Sequence, residues 1–236
     1  MQRLMTTNPL ADKLLERSVS VGSAVTEEDV SVFVVDDDPA VRESAQWLLG
    51  SIGLSPILCG SAQELLNAYD GSAPACIILD VRMPHMSGPK LQQELNRIAP
   101  HAVIIFVSAH GDIPLSVSAL RAGATDFLEK PYNPQELLER VQSSIPLACE
   151  RFNGHALRKD VTDRIGVLTH REREILSLVI EGIPSKNIAR KLGLSTKTVD
   201  VHRARITHKT GSATIQTLIR DILRANLESA VYPLAS

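Results

Sequence analysis

From Ser31 onward, short unbroken apolar runs alternate with longer stretches whose apolar residues recur every three or four positions. Val32-Phe33-Val34-Val35 runs into Asp36-Asp37-Asp38, and Pro39 opens a segment with Val41, Ala45, Leu48 and Leu49 at helical spacing. Proline suits a first helical turn, where its missing N–H would have no partner. A weaker strand over 56–59 precedes a helix that Ser61 caps and that reaches Tyr69. Residues 75–79 form a continuous apolar strand ending at Asp80, and Leu91, Leu95 and Ile98 mark the next helix. Residues 102–107 are a fully apolar strand ending at Ser108; a helix over 115–121, a short strand over 126–128 and a helix over 135–144 follow. Strands apolar on both faces that alternate with helices predict a doubly wound, five-stranded parallel sheet, an α/β domain.

Beyond this region only helical signals remain. Residues 150–166 are polar, with Arg151, Asn153, Gly154, Arg158 and Lys159, and read as an interdomain linker. Thr169 caps a helix, with Glu172 three residues later in a capping-box pattern, and Gly182 ends it. A second helix covers 185–192, and Gly193-Leu194 is a tight turn. Ser195 caps a third helix that runs to about 210, where Gly211 stops it. A fourth, over 213–225, carries Ile215, Leu218, Ile219 and Ile222 on one face. Residues 1–29 lack strong periodicity. The predicted layout is a flexible N-terminal extension over 1–29, an α/β domain over 30–149, a linker over 150–166 and an all-α, four-helix domain over 167–236.

Composition narrows the class. A hydrophobic content of 44% is enough for packed cores, and 22% charged residues do not indicate disorder. The net charge of −2 hides an asymmetry. Residues 1–160 carry 13 Lys and Arg against 20 Asp and Glu, whereas residues 161–236 carry 12 against 7. The basic end is a candidate for a polyanion such as DNA. Cys59, Cys76 and Cys149 are far apart and form no CxxC pair, which argues against a disulfide framework or zinc ribbon and suits a reducing, cytoplasmic location. No apolar stretch approaches the ~20 residues of a membrane helix, and no basic-flanked apolar leader is present, so no membrane insertion is expected. The absence of a G-x-x-x-x-G-K-[ST] loop excludes an ATP-driven activator.

In an open parallel sheet, ligands bind beyond the carboxyl ends of the strands. Four of the five predicted strands end in polar residues there: Asp36-Asp37, Asp80, Ser108 and, just after the last strand, Lys130. Clustered carboxylates ionise together only around a cation. Oxygen ligands without His or Cys select Mg²⁺ over Zn²⁺. A metal-neutralised Asp can attack phosphorus, Ser108 can hydrogen-bond phosphoryl oxygens, and Lys130 can supply a point charge. A single acid after a strand is commonly a helix N-cap, and that reading stays open for Asp36 and Asp38.

The second candidate site is the helix pair around Gly193-Leu194, which has helix-turn-helix spacing. At about 100° per residue, Val199, His202 and Ile206 share the inner side of the third helix, where His202 reads as a packing residue. Lys197, Val201, Ala204, Arg205 and His208 share the opposite face, with Asp200 at its edge. Small and basic side chains suit a major groove, because Arg can read guanine and Val or Ala can meet a thymine methyl. A solvated helix face is the competing reading.

Several stretches resemble a known family. Val34-Val35-Asp36-Asp37-Asp38-Pro39, Leu79-Asp80-Val81-Arg82-Met83-Pro84, Val107-Ser108-Ala109-His110-Gly111-Asp112 and Thr125-Asp126-Phe127-Leu128-Glu129-Lys130-Pro131 resemble the receiver domain of two-component response regulators. Leu168-Thr169 through Ile175-Leu176, with Asn187-Ile188-Ala189, Ser195, Thr198-Val199, Val201-His202 and Lys209-Thr210, resembles the LuxR-type helix-turn-helix domain. Together they resemble the NarL/FixJ layout, closest to the FixJ-type subgroup.

The resemblance implies that Asp80 accepts a phosphoryl group from a sensor histidine kinase. Asp36, Asp37, Asp80 and the Arg82 backbone carbonyl would hold Mg²⁺. Ser108 and Phe127 would be the switch pair, Lys130 the phosphate-contacting cation, and Lys130-Pro131 a cis peptide. Phe127 stands where many members have Tyr, and Ser108 where Thr is commoner. For DNA the implied set is Lys197, Thr198, Asp200, Val201, Ala204, Arg205, His208 and Lys209, with Lys209 on the phosphate backbone and Glu172 and Ile188 structural. Implied partners are promoter DNA, RNA polymerase and a second copy of the chain after phosphorylation, through a face around 113–128 with help from the fourth helix. The expected protein is a regulator and not an enzyme. A Mg²⁺-dependent phosphohydrolase would want a second acid two residues beyond its nucleophile, where this chain has Arg82. The alternative is a phosphorylation-independent DNA-binding regulator that uses the receiver as a dimerisation platform.

Overall fold

The structure is a computed structural model that describes residues 25–109 and 113–232, with 113–115 described by backbone alone. Most of the predicted N-terminal extension, and His110, Gly111 and Asp112 of the receiver-like motif, lie outside the described residues. The chain divides into two compact units after Asn153.

The first unit alternates strand and helix. Its elements are β1 (Ser31–Val35), α1 (Pro39–Gly50), β2 (Ile57–Cys59), α2 (Ala62–Ala68), β3 (Ala75–Asp80), α3 (Gly88–Ile98), β4 (Val103–Ser108), α4 (Ile113–Arg121), β5 (Asp126–Glu129) and the start of α5 (Pro134–Gly166). The strands pair in parallel in the order β2-β1-β3-β4-β5. Side chains alternate across the sheet, so each strand feeds two cores. Phe33, Val35, Ile77, Leu79, Ile104 and Phe106 pack with Leu65, Leu91 and Leu95 on one face. Val32, Val34, Cys76, Ile78, Val103 and Ile105 pack with Leu49, Leu137 and Val141 on the other. Burial on both faces explains why these strands read as unbroken apolar runs. Register sets Val35 beside Leu79 and Asp80 beside Val107, so the polar residues that end β1, β3 and β4 share one edge.

Local chemistry starts the helices. Asp38 Oδ1 accepts from the Ala40 N–H at 2.9 Å, with Pro39 at the first position of α1. Ser61 Oγ accepts from the Glu64 N–H at 3.2 Å and starts α2.

Two expectations are corrected. The linker predicted over 150–166 is helical, because α5 continues from Pro134 to Gly166 through Pro146, Asn153 and Gly154. Its polar, weakly helix-forming middle suggested a break, but Ala148 and Cys149 are buried in the first unit, and Val161 and Ile165 in the second. Burial at helical spacing overrides local propensity. The last residues of the predicted flexible extension are also folded. Glu27–Asp29 is a 3₁₀ turn closed by a Thr26–Asp29 capping box, and Val25 is buried. Val25 exchanges two hydrogen bonds of 3.2 Å with the Asn153 side chain, a partner 128 residues away that no local pattern reveals.

The second unit is helical. After the end of α5 come α6 (His170–Ile180), α7 (Ser185–Leu192), α8 (Thr196–Lys209), α9 (Ile215–Arg224) and a short α10 (Glu228–Val231). Among the described residues, the four expected helices α6–α9 are followed by the single turn of α10, whose Val231 is fully buried. Ile165, Ile175, Leu176, Ile188, Val199, Ile206, Leu218 and Ile222 form the core. Gly193 adopts φ 65° where α7 ends, a left-handed conformation that a side chain would disfavour, and this makes the tight α7–α8 turn.

Candidate functional site

At the carboxyl edge of the sheet, Asp36 and Asp80 converge on one cation. Both residues are buried. Lys130 Nζ lies 2.6 Å from Asp36 Oδ2 and 2.7 Å from Asp80 Oδ1. The other oxygens face backbone donors: Asp38 N–H donates to Asp36 Oδ1 at 2.9 Å, and Arg82 N–H to Asp80 Oδ2 at 2.7 Å. Burial raises the pKa of the Asp80 carboxyl, and the charge of Asp36 adds to this, against the opposing pull of Lys130. Burial alone would lower the pKa of the Lys130 ammonium, but Asp36 and Asp80 hold it above its ordinary value.

The predicted residues do not all sit together. Asp37 is exposed and makes no hydrogen bond or ion pair among the described residues. Among those residues no group of three or more His, Cys, Asp or Glu is already drawn into a cage for a metal. Asp36 and Asp80 hold an ammonium, and Asp37, next in the chain to Asp36, is exposed. The donor set still suits a hard dication. Two carboxylates share one ammonium and a third is unengaged, which leaves excess negative charge on oxygen ligands alone.

Ser108 ends β4 and is buried, and its carbonyl accepts from the Lys130 N–H at 2.7 Å, tying β4 to the turn that carries the lysine. Phe127 on β5 is half-buried and packs against the first core. Lys130-Pro131 is cis, as the resemblance implied.

Two further residues shape this edge. A Cβ on Gly88 would lie 2.5 Å from the Asp80 carbonyl oxygen and 2.8 Å from the Phe106 ring, so only glycine lets α3 start this close to β3. Its signal was a glycine as the first residue of a helix. Arg42 Nη1 donates to the Asp36 carbonyl at 2.6 Å, and nothing in its spacing announces that bond.

In the second unit, Val199 and Ile206 of α8 are fully buried, and Lys197, Asp200, Val201, Ala204, Arg205, His208 and Lys209 are exposed. The inner and outer faces thus fall where the periodicity placed them. His202 is half-buried, and its Nδ1 is buried with no hydrogen-bond partner, in keeping with packing. The Thr198 hydroxyl is engaged by the cap, 2.8 Å from Ser195 Oγ. Arg203 Nη1 donates to Ser185 Oγ at 3.1 Å and links α8 to the start of α7.

Lys209 also makes a contact inside the domain. Its ammonium lies 2.8 Å from Glu172 Oε2, a carboxylate that also closes the Thr169 capping box and is only 3% exposed. Burial alone would raise the Glu172 pKa, but Lys209 and Thr169 together hold it below the ordinary range. Lys209, exposed on α8, thus links α8 to the start of α6.

Comparison with known proteins completes the picture. Residues 32–142 match the response regulator receiver domain, and residues 166–221 match the bacterial regulatory proteins of the luxR family. The chain belongs to the response-regulator family. Among this regulator's relatives is the transcriptional regulatory protein FixJ of Azorhizobium caulinodans, 40% identical over 203 residues, covering 86% of this chain and 96% of that one. The transcriptional regulatory protein TdiR of Thauera aromatica is 41% identical over 196 residues, covering 83% of this chain and 86% of that one. Among solved structures, the response regulator StyR aligns with a TM-score of 0.66 at 37% identity, covering 83% of this chain and 98% of that one. The regulator therefore joins a receiver domain to a LuxR-type DNA-binding domain, the layout of two-component transcription regulation. Among the described residues, no helix is long and apolar enough to cross a membrane.

Proposed function

We propose that this response regulator is switched by phosphorylation of Asp80 and then binds promoter DNA as a dimer. One observation carries the reading: Asp80 ends the central strand with one oxygen on Lys130 Nζ and the other on the Arg82 N–H. A carboxylate oxygen of Asp80 forms the bond to phosphorus as the bond from phosphorus to the donor histidine of a sensor kinase breaks. Lys130, already bonded to Asp80, balances the phosphoryl charge, and the Ser108 hydroxyl at the end of β4 is its hydrogen-bonding partner. Asp36, Asp37, Asp80 and the Arg82 carbonyl would hold Mg²⁺, which when bound neutralises charge between carboxylate and phosphoryl oxygens.

On the DNA side, Lys197, Val201, Ala204 and Arg205 of α8 face the major groove, with Thr198, Asp200 and His208 at the margins of the contact. Phosphorylation favours pairing of two copies, which places two reading helices on one operator and presents the complex to RNA polymerase. The protein acts by binding and turns over no substrate of its own.

The test uses the full chain and Asp80→Asn. Incubation with Mg²⁺ and acetyl phosphate followed by intact-mass measurement should add one phosphoryl group to the wild type and none to the variant. Footprinting on genomic DNA with and without the donor should show protection that depends on phosphorylation. An adduct on Asp80→Asn would move the nucleophile elsewhere. Equal protection by both proteins, with or without donor, would favour a phosphorylation-independent regulator.

A further inference from the structure

Asp36 has four polar groups, and each is tied to a different place. Its N–H donates to the Cys59 carbonyl of β2 at 3.2 Å. Oδ1 accepts from the Asp38 N–H, and Oδ2 from Lys130 Nζ. Its carbonyl oxygen accepts from Arg42 Nη1 at 2.6 Å. Arg42 lies near the start of α1 and is half-buried.

That carbonyl belongs to the rigid peptide plane joining Asp36 to Asp37. A donor fixed on the oxygen fixes the direction in which Asp37 leaves the strand. The guanidinium also lies beside the turn at Gly60. A Cβ on Gly60 would lie 3.4 Å from Arg42 Nη1 and 3.5 Å from its Cζ, so the guanidinium lies at van der Waals distance from this turn. Glu64 Oε2 accepts from the Gly60 N–H at 2.8 Å and holds that turn in place. Arg42 thus runs from the β2–α2 turn to the acidic turn after β1. It engages no oxygen of the Asp36 or Asp80 carboxylates, which are shared between Lys130 and backbone N–H groups, and Asp37 is left without a partner among the described residues.

We propose that Arg42 is a positioning residue that holds the Asp36–Asp37 peptide so that the Asp37 carboxylate is presented to a divalent cation. The inference rests on the reading of this edge as a Mg²⁺-dependent phosphoacceptor site. Arg42 acts through the backbone and touches neither the cation nor the phosphoryl group. Its effect therefore belongs to metal affinity and depends on Asp37 being present.

The experiment is a mutant cycle on the full chain: wild type, Arg42→Met, Asp37→Ala and the double variant, each titrated with Mg²⁺ by calorimetry before any phosphoryl donor is added. Losing a charge-assisted hydrogen bond should weaken Mg²⁺ binding by about tenfold in Arg42→Met. The same substitution should have almost no further effect once Asp37 is Ala. Arg42→Lys keeps charge, reach and one donor, and should regain most of the affinity. Labelling by acetyl phosphate, slowed in Arg42→Met at low Mg²⁺, should recover as Mg²⁺ is raised. Hydrogen exchange across β1 and β3 reports whether each variant keeps its sheet, and Arg42→Gln, which removes the charge and shortens the reach, replaces Arg42→Met in the cycle if the latter does not. Unchanged affinity in Arg42→Met, or equal losses with and without Asp37, would overturn the proposal. Failure of the wild type to bind Mg²⁺ or accept phosphoryl groups would instead sink the reading of the site on which it rests.

Discussion

Replacing Lys130 with Met keeps much of the side chain's length and removes its charge. Among the described residues, the ammonium is the only side-chain cation paired with the carboxylates of Asp36 and Asp80, residues that are 5% and 8% exposed. Each carboxylate would keep one backbone N–H and lose its ionic partner. Breaking a fully buried pair in this way typically costs ~3–5 kcal/mol. The Lys130 side chain is 21% exposed, so water partly offsets the loss, and ~2–3 kcal/mol is expected for the receiver domain.

The sign of the pH dependence follows from Asp80. Its pKa is raised, so the associated stability is fully present below the ordinary carboxyl pKa and is lost as pH rises through the folded value. Removing Lys130 deletes the pull that opposes the rise, so the folded pKa climbs further. The gap between wild type and Lys130→Met should therefore be widest near neutrality and shrink on acidification, as Asp80 takes up a proton. Hydrogen exchange on β1 and β3 peptides, corrected for intrinsic rates, isolates this domain from the second. Near pH 7.5, globally exchanging amides should open roughly 30- to 150-fold more often, and near pH 5 several-fold less than that. Millimolar Mg²⁺ should protect the variant more than the wild type. An identical penalty at both pH values, untouched by Mg²⁺, would mean that Lys130 contributes packing and not charge.

Three further outcomes are expected. Gly88→Ala forces a methyl to within 2.5 Å of the Asp80 carbonyl oxygen, and should cost ~1–3 kcal/mol and slow acetyl phosphate labelling; unchanged exchange on β3 and unchanged labelling would refute the close approach. Lys209→Ala should destabilise the DNA-binding domain by ~1–2 kcal/mol in thermal melts. Because the Glu172 pKa is lowered, its stabilisation is present above the ordinary carboxyl pKa and lost as pH falls through the folded value, so the variant should show a smaller acid-side drop than the wild type. Arg205→Ala should relax preference at one operator position by ~1–3 kcal/mol in a randomised-operator selection; a uniform loss with a salt slope lower by about one unit would put Arg205 on a phosphate instead.

The sequence by itself determined the elements and the shared edge. An apolar run closed by an acid or a hydroxyl is a local pattern, and it located the end of β1 just before Asp36 and the ends of β3 and β4 at Asp80 and Ser108. Caps are equally local, so Asp38, Ser61, Thr169 and Ser195 start the helices expected of them. Helical periodicity separated Val199 and Ile206 from the exposed face of α8.

Only the tertiary structure decided how the charges are used. Asp36 and Asp37 are chemically alike and adjacent, yet burial couples the first to Lys130, 94 residues away, and leaves the second in solvent. Lys209 carries no local sign of a partner within the domain, yet folding sets it against Glu172, 37 residues earlier. Residues 150–166 read as a linker because local propensity is weak there, while the buried faces that sustain α5 are supplied by residues distant in sequence. Propensities and caps act within a turn or two of chain. Ion pairs, close approaches and burial depend on which segments meet, and that is settled only when the cores pack.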